Sequence, residues 1–509
     1  MKLLFAGARS ATVLLDKSGD YFMPDPVTLY LNRVSLGEER RSVVSLFDLE
    51  PETDYHLTFE RPKGERMRLS FRTEAESYTL DVRRFGAKGD GVTDDTPALQ
   101  AAILSCPPGG RVLVEAGTYL TGPLFLKSHI TLELRKGATL SLYTDENRFP
   151  VLPGVTFPTG EGPDLLLGSH EGNPLDARAA ALTGVDLEDV KIVGEGVVDG
   201  RAQEAGWWVN TKERYGIFRG SLLMLARCKN VTIQGITFRN SPFWNIHPMF
   251  SEDLSFLNIL VEAPAVSPNT DGFDPESCRR VRLMGAVLSV GDDCIALKSG
   301  KIWQGRTLKK PCEDIEIAYC AMLDGHGGVT VGSEMAGGVR RVRVHHCWMR
   351  GNDRGLRIKT RRGRGKQAVV DDIRFEDIRM EGVKMPLIVN SMYFCDPDGH
   401  SAWVQSRTPQ PCDETTPTVG SIRFERVHAA GCQACAAYIL GLPERPVQSV
   451  IIRESCFEFT ENAPPLVPAM ADHVPAMHNR GVVARFIDEL IVDNVEMKQI
   501  DGNPVERLS

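Results

Sequence analysis

Apolar and polar residues alternate in short runs along most of the chain, and the runs recur at intervals too short for separate domains. The six central runs begin 23 to 34 residues apart. Alternation with a period of two is typical of a half-buried β-strand. A repeat of this length without helical patterning predicts a solenoid, a parallel β-helix in which each coil buries its apolar face against the next. The runs begin at Ile130, Val190, Val231, Leu254, Val281, Ile315, Val342, Ile373, Ile422, Val450 and Leu490.

The repeats also predict which residues lie opposite each other in neighbouring coils. One apolar residue in each of four later strands sets this register: Phe273, Ile295, Val329 and Leu356. The register places Asp271 opposite Asp293, and Asp292 opposite His326. Adjacent coils are separated by roughly 4.8 Å. Asp271 and Asp293 are therefore expected to be close enough for their titrations to couple.

Four polar motifs interrupt the repeats: Asn269-Thr270-Asp271-Gly272, Gly291-Asp292-Asp293, Gly325-His326-Gly327 and Arg357-Ile358-Lys359. Each motif alone is common turn chemistry or a solvated strand face. Together they place three carboxylates, an imidazole and two cations within a small part of the chain. Two carboxyl groups are what hydrolysis of a glycosidic bond requires, and Arg357 and Lys359 are suited to an anionic part of a ligand.

These four motifs, in this order and at these separations, resemble those of the polygalacturonase family of glycoside hydrolases, family 28. The fold of that family is a right-handed parallel β-helix of the pectin-lyase-like type. The resemblance extends from Ser77 to the C-terminus. Its opening, from Phe85 to Gly91, is similar to the start of many pectin-active β-helix proteins, and the helical stretch from Pro97 to Leu104 is expected to cap the open end of the solenoid.

The resemblance implies a role for each residue of the motifs. Asp292 corresponds to the general acid, and Asp271 with Asp293 to the base that activates water. The negative charge of that pair favours the protonated form of Asp292, and His326 would tune its proton. The family inverts the anomeric configuration. The residues that correspond to substrate-binding positions are Asn269, Arg357, Lys359 and Tyr393, and the last of these is equally compatible with an aromatic at the edge of the core.

The first residues have a different pattern, and we predict two domains, 1–76 and 77–509. Five alternating runs in the first segment predict a small antiparallel β-sandwich. The segment from Leu49 to Tyr55 resembles the tyrosine corner of fibronectin type III domains, although Leu14 and Leu15 stand where the usual core Trp would be. In some exo-acting bacterial enzymes such a domain blocks one end of the cleft. A passive spacer is the alternative.

Composition limits which cellular compartment and which partners are expected for the protein. The formal net charge of −8 argues against a nucleic-acid partner, and cations concentrate locally between Arg340 and Lys366. No apolar run approaches the roughly 18 residues of a membrane span. The apolar stretch before Arg9 is too short for a secretion signal, so we predict a cytoplasmic enzyme. Cys432 and Cys435 have no second pair, so no zinc site is predicted, and the reaction needs no metal or cofactor.

The predicted function is inverting, exo-acting hydrolysis of α-1,4-galacturonosidic bonds in homogalacturonan or oligogalacturonides. Gly206-Trp207-Trp208 and the stretch from Ser241 to Pro248 resemble exo-acting bacterial members, with structural packing as the alternative for these Trp residues. Three other functions stay open. They are a pectin- or rhamnogalacturonan-active enzyme of different specificity, a β-helix lyase, and a carbohydrate-binding β-helix without turnover. The basic run Arg361, Arg362, Arg364 and Lys366 either extends the anionic subsites or is a solvated loop.

Overall fold

The computed structural model describes residues 1–62, 64–155, 166–211 and 216–508. They form two units with different strand pairing, an antiparallel sandwich and a parallel β-helix. Within the described residues, no helix is both long and apolar enough to span a bilayer.

The N-terminal unit consists of two antiparallel sheets around their own apolar core. Tyr55 lies in this core, and its hydroxyl oxygen accepts a hydrogen bond from the Glu50 N–H at 2.8 Å, as expected for a tyrosine corner. The predicted runs are confirmed as strands, and two further strands accompany them. In spatial order the sheets are Lys2–Ala6, Ala11–Leu14 and Val43–Leu46, and Val34–Arg41, Phe22–Leu31, Asp54–Glu60 and Arg66–Arg72.

From Thr79 onward each coil contributes first and second strands, separated by a bend, to one 22-stranded parallel sheet. The first strands are Thr79–Asp81, Gly110–Val114, Ile130–Leu134, Glu188–Gly194, Lys229–Gln234, Glu252–Leu257, Arg279–Met284 and Cys312–Ala318. The second strands are Asp90–Asp94, Gly117–Thr121, Ala138–Leu142, Val197–Asp199, Thr237–Arg239, Leu260–Glu262, Val287–Ser289 and Ala321–Leu323. In the last coils the sheet continues through Val339–Arg350, Val369–Glu381, Thr418–Val419, Ser421–Cys432, Val447–Phe459 and Ile487–Lys498.

Third strands form another face of the solenoid, and the site lies on this face. They are Leu124–Phe125, Leu182–Val185, Leu223–Ala226, Ile246–Met249, Ile295–Leu297, Gly327–Val331, Arg354–Lys359, Met385–Asn390, Cys435–Leu440, Arg480–Arg485 and Val505–Arg507. Single bridges at Phe273 connect Ile246 to Ile295, so the face is continuous. A small antiparallel pair, Val151–Leu152 and Ala177–Arg178, lies beside it.

Three α-helices complete the described elements: α1 (Thr96–Ser105), α2 (Ile302–Thr307) and α3 (Ala402–Gln405), with 3-10 turns at Val82–Phe85 and Glu146–Arg148. Helix α1 matches the predicted capping stretch and buries Leu99, Ala102 and Ile103 in the main core. Apolar surface that has no preceding coil is thereby covered.

The predicted register of the first strands is confirmed along the whole stack. Each of the eleven run starts pairs directly with the next, from Ile130 opposite Val190 to Val450 opposite Leu490. A one-residue slip would turn every apolar side chain outward. The alternation therefore specifies one pairing.

The sandwich packs against the bends between first and second strands. Gln234 is fully buried there and bonds to Ser10 and Thr12 at 2.5 and 2.8 Å. Asn258 donates to the Val43 carbonyl at 3.0 Å. These bends lie at the end of the second strands that is away from the third strands. The sandwich therefore does not cover the third-strand face through these contacts.

Candidate active site

The three predicted acids lie where second strands turn into third strands. Asp271 precedes the bridging residue Phe273, and Asp293 precedes the strand that begins at Ile295. The Gly272 N–H donates to the Asp293 carbonyl at 3.0 Å, so Asp271 and Asp293 lie opposite each other as predicted. Adjacent side chains of a strand point to opposite faces, but the bend allows both acids of Gly-Asp-Asp to reach one site.

The three carboxylates form one cluster. One oxygen of each of Asp271, Asp292 and Asp293 lies within 4.8 Å of the others. Asp271 and Asp293 are 3% and 0% exposed, whereas Asp292 is half-buried. Asp292 is therefore the most solvent-accessible member of the cluster.

Asp293 is held as an anion. Its carboxylate lies 2.8 Å from the Lys359 ammonium and 3.5 Å from the Arg357 guanidinium. Burial would raise the pKa of Asp293, but these two cations outweigh burial and hold the pKa well below its ordinary value. Arg357 and Lys359 thus have a partner inside the protein, which the sequence did not reveal.

Asp271 has the opposite balance. Burial and the neighbouring charge of Asp292 raise the pKa of Asp271 well above its ordinary value, against the attraction of Lys298. The Lys298 ammonium lies 3.6 Å from the Asp271 carboxylate. Two neighbouring carboxyl groups with pKa values driven apart are the usual basis for different roles in acid–base catalysis.

Sequence reasoning missed three charged residues beneath the cluster: Asp274, Lys298 and Glu334. Lys298 is 3% exposed and lies 2.9 Å from Glu334 and 3.7 Å from Asp274. A signal was available, because the register that puts Ile295 inward also puts Lys298 outward, in the column that leads to Lys359. None of the four sequence motifs includes Lys298.

The other predicted site residues surround the cluster. The His326 N–H donates to the Asp292 carbonyl at 3.0 Å, which confirms their pairing, while its imidazole is exposed and its role stays a prediction. Asn269 accepts a hydrogen bond from Arg219 at 2.8 Å. Tyr393 is 7% exposed, and its ring centroid lies 5.6 Å from the Lys359 ammonium and 5.8 Å from Arg357. Tyr393 therefore supports the two cations from the side.

The basic run after Lys359 matches neither prediction, since its arginines are buried and paired. Arg361 binds Asp398 and Asp396, Arg362 binds Glu444 at 2.6 Å, and Arg364 binds Asp396 at 2.7 Å. Lys366 is exposed and paired with Glu414. Buried ion pairs of this kind hold loops together, and the run is structural rather than an open subsite.

The tryptophans of the exo-like stretches pack inside the protein. Trp207 is fully buried, and the Trp208 indole donates to the Ser241 carbonyl at 3.0 Å. Trp244 is 2% exposed, and its ring centroid lies 4.5 Å from the Lys298 ammonium. Packing explains Trp207 and Trp208, whereas Trp244 forms part of the wall beneath the acids.

A segment around His170 crosses the third-strand face. The His170 ring stacks on Phe218 and Phe243, which precede two third strands, at centroid distances of 4.2 and 4.5 Å. Two residues later the Gly172 carbonyl accepts a hydrogen bond at 2.8 Å from the N–H of Lys301, which follows the third strand of another coil. The segment therefore spans the width of the face on one side of the acid cluster.

Comparisons with known proteins agree with this fold. Residues 168–439 match the model of glycosyl hydrolases family 28, and residues 79–133 match that of rhamnogalacturonase A/epimerase, pectate lyase-like. A probable polygalacturonase of Vitis vinifera is 31% identical over 386 residues, covering 74% of this chain and 73% of the relative. The chain belongs to glycosyl hydrolases family 28 and is a glycoside hydrolase.

Solved structures show the same architecture. A family 28 exopolygalacturonase of Yersinia enterocolitica superposes with a TM-score of 0.70 over 99% of this chain and 97% of its own, at 17% identity. A hyperthermoactive exopolygalacturonase of Thermotoga maritima has a TM-score of 0.67 and 27% identity, covering 82% of this chain and 91% of its own. The predicted β-helix is therefore confirmed.

Proposed function

We propose that the protein hydrolyses α-1,4-galacturonosidic bonds of homogalacturonan or its oligomers, with inversion and from one end of the chain. The observation that carries this proposal is the cluster of Asp271, Asp292 and Asp293 beside the cations Arg357 and Lys359. Galacturonate has a carboxylate on every sugar, which suits these cations. Relatives named polygalacturonase support the same substrate.

In the proposed mechanism two of the acids transfer protons and the third stays ionised. Asp292 donates its proton to the leaving glycosidic oxygen. A water molecule attacks the anomeric carbon and gives its proton to Asp271. Asp293 stays ionised between Arg357 and Lys359 and orients that water as an acceptor. His326 lies beside Asp292 in the next coil, where it would assist reprotonation of the acid.

The separation of the acids bears on the stereochemistry. Inverting enzymes usually hold acid and base roughly 6.5–9.5 Å apart, whereas oxygens of this cluster lie within 4.8 Å. A water held between Asp271 and Asp293, to one side of Asp292, reconciles the short distance with inversion. Retention with Asp271 as the nucleophile is the competing mechanism.

The exo preference is supported by the segment around Gly172. It lies across the third-strand face and bonds to Lys301, so a long polymer could not pass beyond this point of the groove. A groove closed at one side accepts a chain end rather than the middle of a chain. Gly172 makes this close approach possible, because a Cβ there would lie 2.9 Å from the Glu334 Cβ, the Gly300 Cα and the Lys301 nitrogen.

Gly172→Ala should therefore open the closed side and let longer products appear. We expect wild type to release monomers or dimers from polygalacturonate at the outset, and the variant to add trimers and longer oligomers, as measured by chromatography over time. Gly206→Ala is the matched control, since Gly206 has a similar φ of 72° but open space around it. A ladder of sizes from wild type would refute the exo proposal. Identical profiles for both variants would refute the role of the segment.

We infer that residues 1–76 are a fibronectin type III-like domain. The order of strands in its two sheets and the Tyr55 hydrogen bond support this inference. An experimental structure with another strand order would contradict it. Its contacts with Gln234 and Asn258 favour a docked spacer over a plug of the groove.

We propose a reducing compartment such as the cytoplasm. The twelve cysteines are all free thiols, nine of them buried, several of them in strand columns where they pack as small apolar residues. Fractionation of the source cells tests this placement, and recovery of the protein outside the cytoplasm would contradict it.

A further inference from the structure

Lys298 is the cation around which the buried acids of the site are arranged. Its ammonium lies 2.9 Å from Glu334, 3.6 Å from Asp271 and 3.7 Å from Asp274. The Trp244 ring covers it at 4.5 Å. All three carboxylates are less than 10% exposed, so solvent screens these interactions weakly.

One ammonium cannot neutralise three carboxylates. Glu334 takes the hydrogen bond, and its pKa lies well below the ordinary value because Lys298, Lys301 and Lys359 together outweigh the effect of burial. Both carboxylate oxygens of Asp274 are buried without a hydrogen-bond partner among the described residues. Burial and the neighbouring charge of Asp271 raise the pKa of Asp274 well above its ordinary value, against the attraction of Lys298. Asp271 must be ionised to act as the base. It shares the Lys298 ammonium with Glu334, which lies closer to it.

We propose that Lys298 is a positioning residue that keeps Asp271 ionised, and that its pairing with Glu334 sets the acidic limit of activity. This inference rests on the proposed function, in which Asp271 is the base. Among the described residues, Lys298 is the one cation that forms an ion pair with the Asp271 carboxylate within 4 Å. The charged groups that face Asp271 from all neighbouring coils are Asp274, Asp292, Asp293, Lys298 and Lys359.

The sign of the effect follows from linkage. A base is active when ionised, so any change that raises its pKa moves the acidic limb of the pH profile to higher pH. An opposite charge within about 4–6 Å lowers a carboxyl pKa by roughly 1–3 units. Removing Lys298 should therefore move the limb upward. Removing the Glu334 charge should move it downward, because Lys298 then loses its closest competing carboxylate.

The test is the pH dependence of kcat/KM on polygalacturonate for wild type, Lys298→Met and Glu334→Gln. We expect the acidic limb to move up by about one unit or more in Lys298→Met and down in Glu334→Gln. Glu414→Gln is the matched control, because it makes the same kind of change in an exposed ion pair with Lys366. Charges of an exposed pair are screened by solvent, so its limb should stay close to that of wild type.

Opposite shifts in the two charge variants would support the proposal, since a merely structural role lowers activity at every pH alike. A limb that does not move in Glu334→Gln, or that moves equally in Glu414→Gln, would overturn it. Glu334→Gln keeps the proposal testable if Lys298→Met fails to fold. Wild type inactive on polygalacturonate at every pH would instead refute the proposed function, so the two failures are distinguishable.

Discussion

Asp292→Asn is expected to lower kcat on polygalacturonate by about 10²- to 10⁴-fold, the contribution typical of a general acid. The amide has the shape of the acid but no proton to give to the leaving oxygen. Asp292 is half-buried, and its carboxylate accepts a hydrogen bond from the Asp293 N–H at 2.9 Å, which the amide oxygen of Asn can also accept. KM should change little. Initial rates of reducing-end formation, with substrate concentration varied, separate the two constants.

The control for this variant is Asp54→Asn, a change of the same chemistry on an exposed sandwich residue. It should retain the wild-type rate. Turnover by Asp292→Asn within a few-fold of wild type would remove Asp292 from the role of acid. The remaining candidate donor would then be Asp271, whose pKa is raised by burial and by Asp292.

Lys359→Met should lower both activity and stability. A hydrogen bond to a charged group contributes about 1.5–3 kcal/mol, which corresponds to a loss of about 10- to 150-fold in kcat/KM. Lys359 is 7% exposed and lies 2.8 Å from fully buried Asp293, so its removal leaves a buried charge without its closest partner. Breaking such a pair costs about 3–5 kcal/mol of unfolding free energy. Denaturant unfolding and kinetics measure the two losses.

The pH dependence of this stability loss has a definite sign. In wild type the pKa of Asp293 is lower in the folded than in the unfolded protein. The pair of Asp293 with Lys359 therefore stabilises the protein fully above the unfolded pKa of about 3.9. This stabilisation is lost as the pH falls through the folded pKa. The deficit of Lys359→Met should therefore be largest near neutral pH and shrink in acid.

Lys366→Met is the matched control, because Lys366 follows Lys359 closely in the chain but forms an exposed pair with Glu414. Exposed pairs contribute about 0–1 kcal/mol. Activity and stability close to wild type are expected for this control. Equal loss in Lys359→Met and Lys366→Met would show that general charge, rather than contact with Asp293 and substrate, is responsible.

Much of the fold was predictable because a solenoid is nearly one-dimensional. Each coil contacts only its neighbours, so a period-two pattern fixes the strands, and a constant register fixes their pairing. The same register correctly placed Asp271 opposite Asp293, and Asp292 opposite His326. The strand Val34–Arg41 was missed because it is a largely exposed edge strand without apolar alternation.

The rest of the site depends on side-chain directions and on loops that do not repeat. Arg357 and Lys359 were correctly placed on the face of the acids. Their contact with Asp293 was not predicted, because it spans two coils and depends on how deeply the Asp293 carboxylate is buried. Glu334 lies in a loop beyond a third strand. The segment of Gly172 reaches Lys301 from 129 residues away, and no periodic signal links them.

The central claim is inverting hydrolysis, and the anomeric form of the first product tests it most directly. Polygalacturonate cleaved in an NMR tube should show new reducing ends as the β-anomer before mutarotation, because an α-bond is hydrolysed with inversion. The α-anomer appearing first would instead make Asp271 a nucleophile in a retaining reaction, as the separation of under 4.8 Å would permit. Unsaturated products would show elimination, and either result would contradict the mechanism.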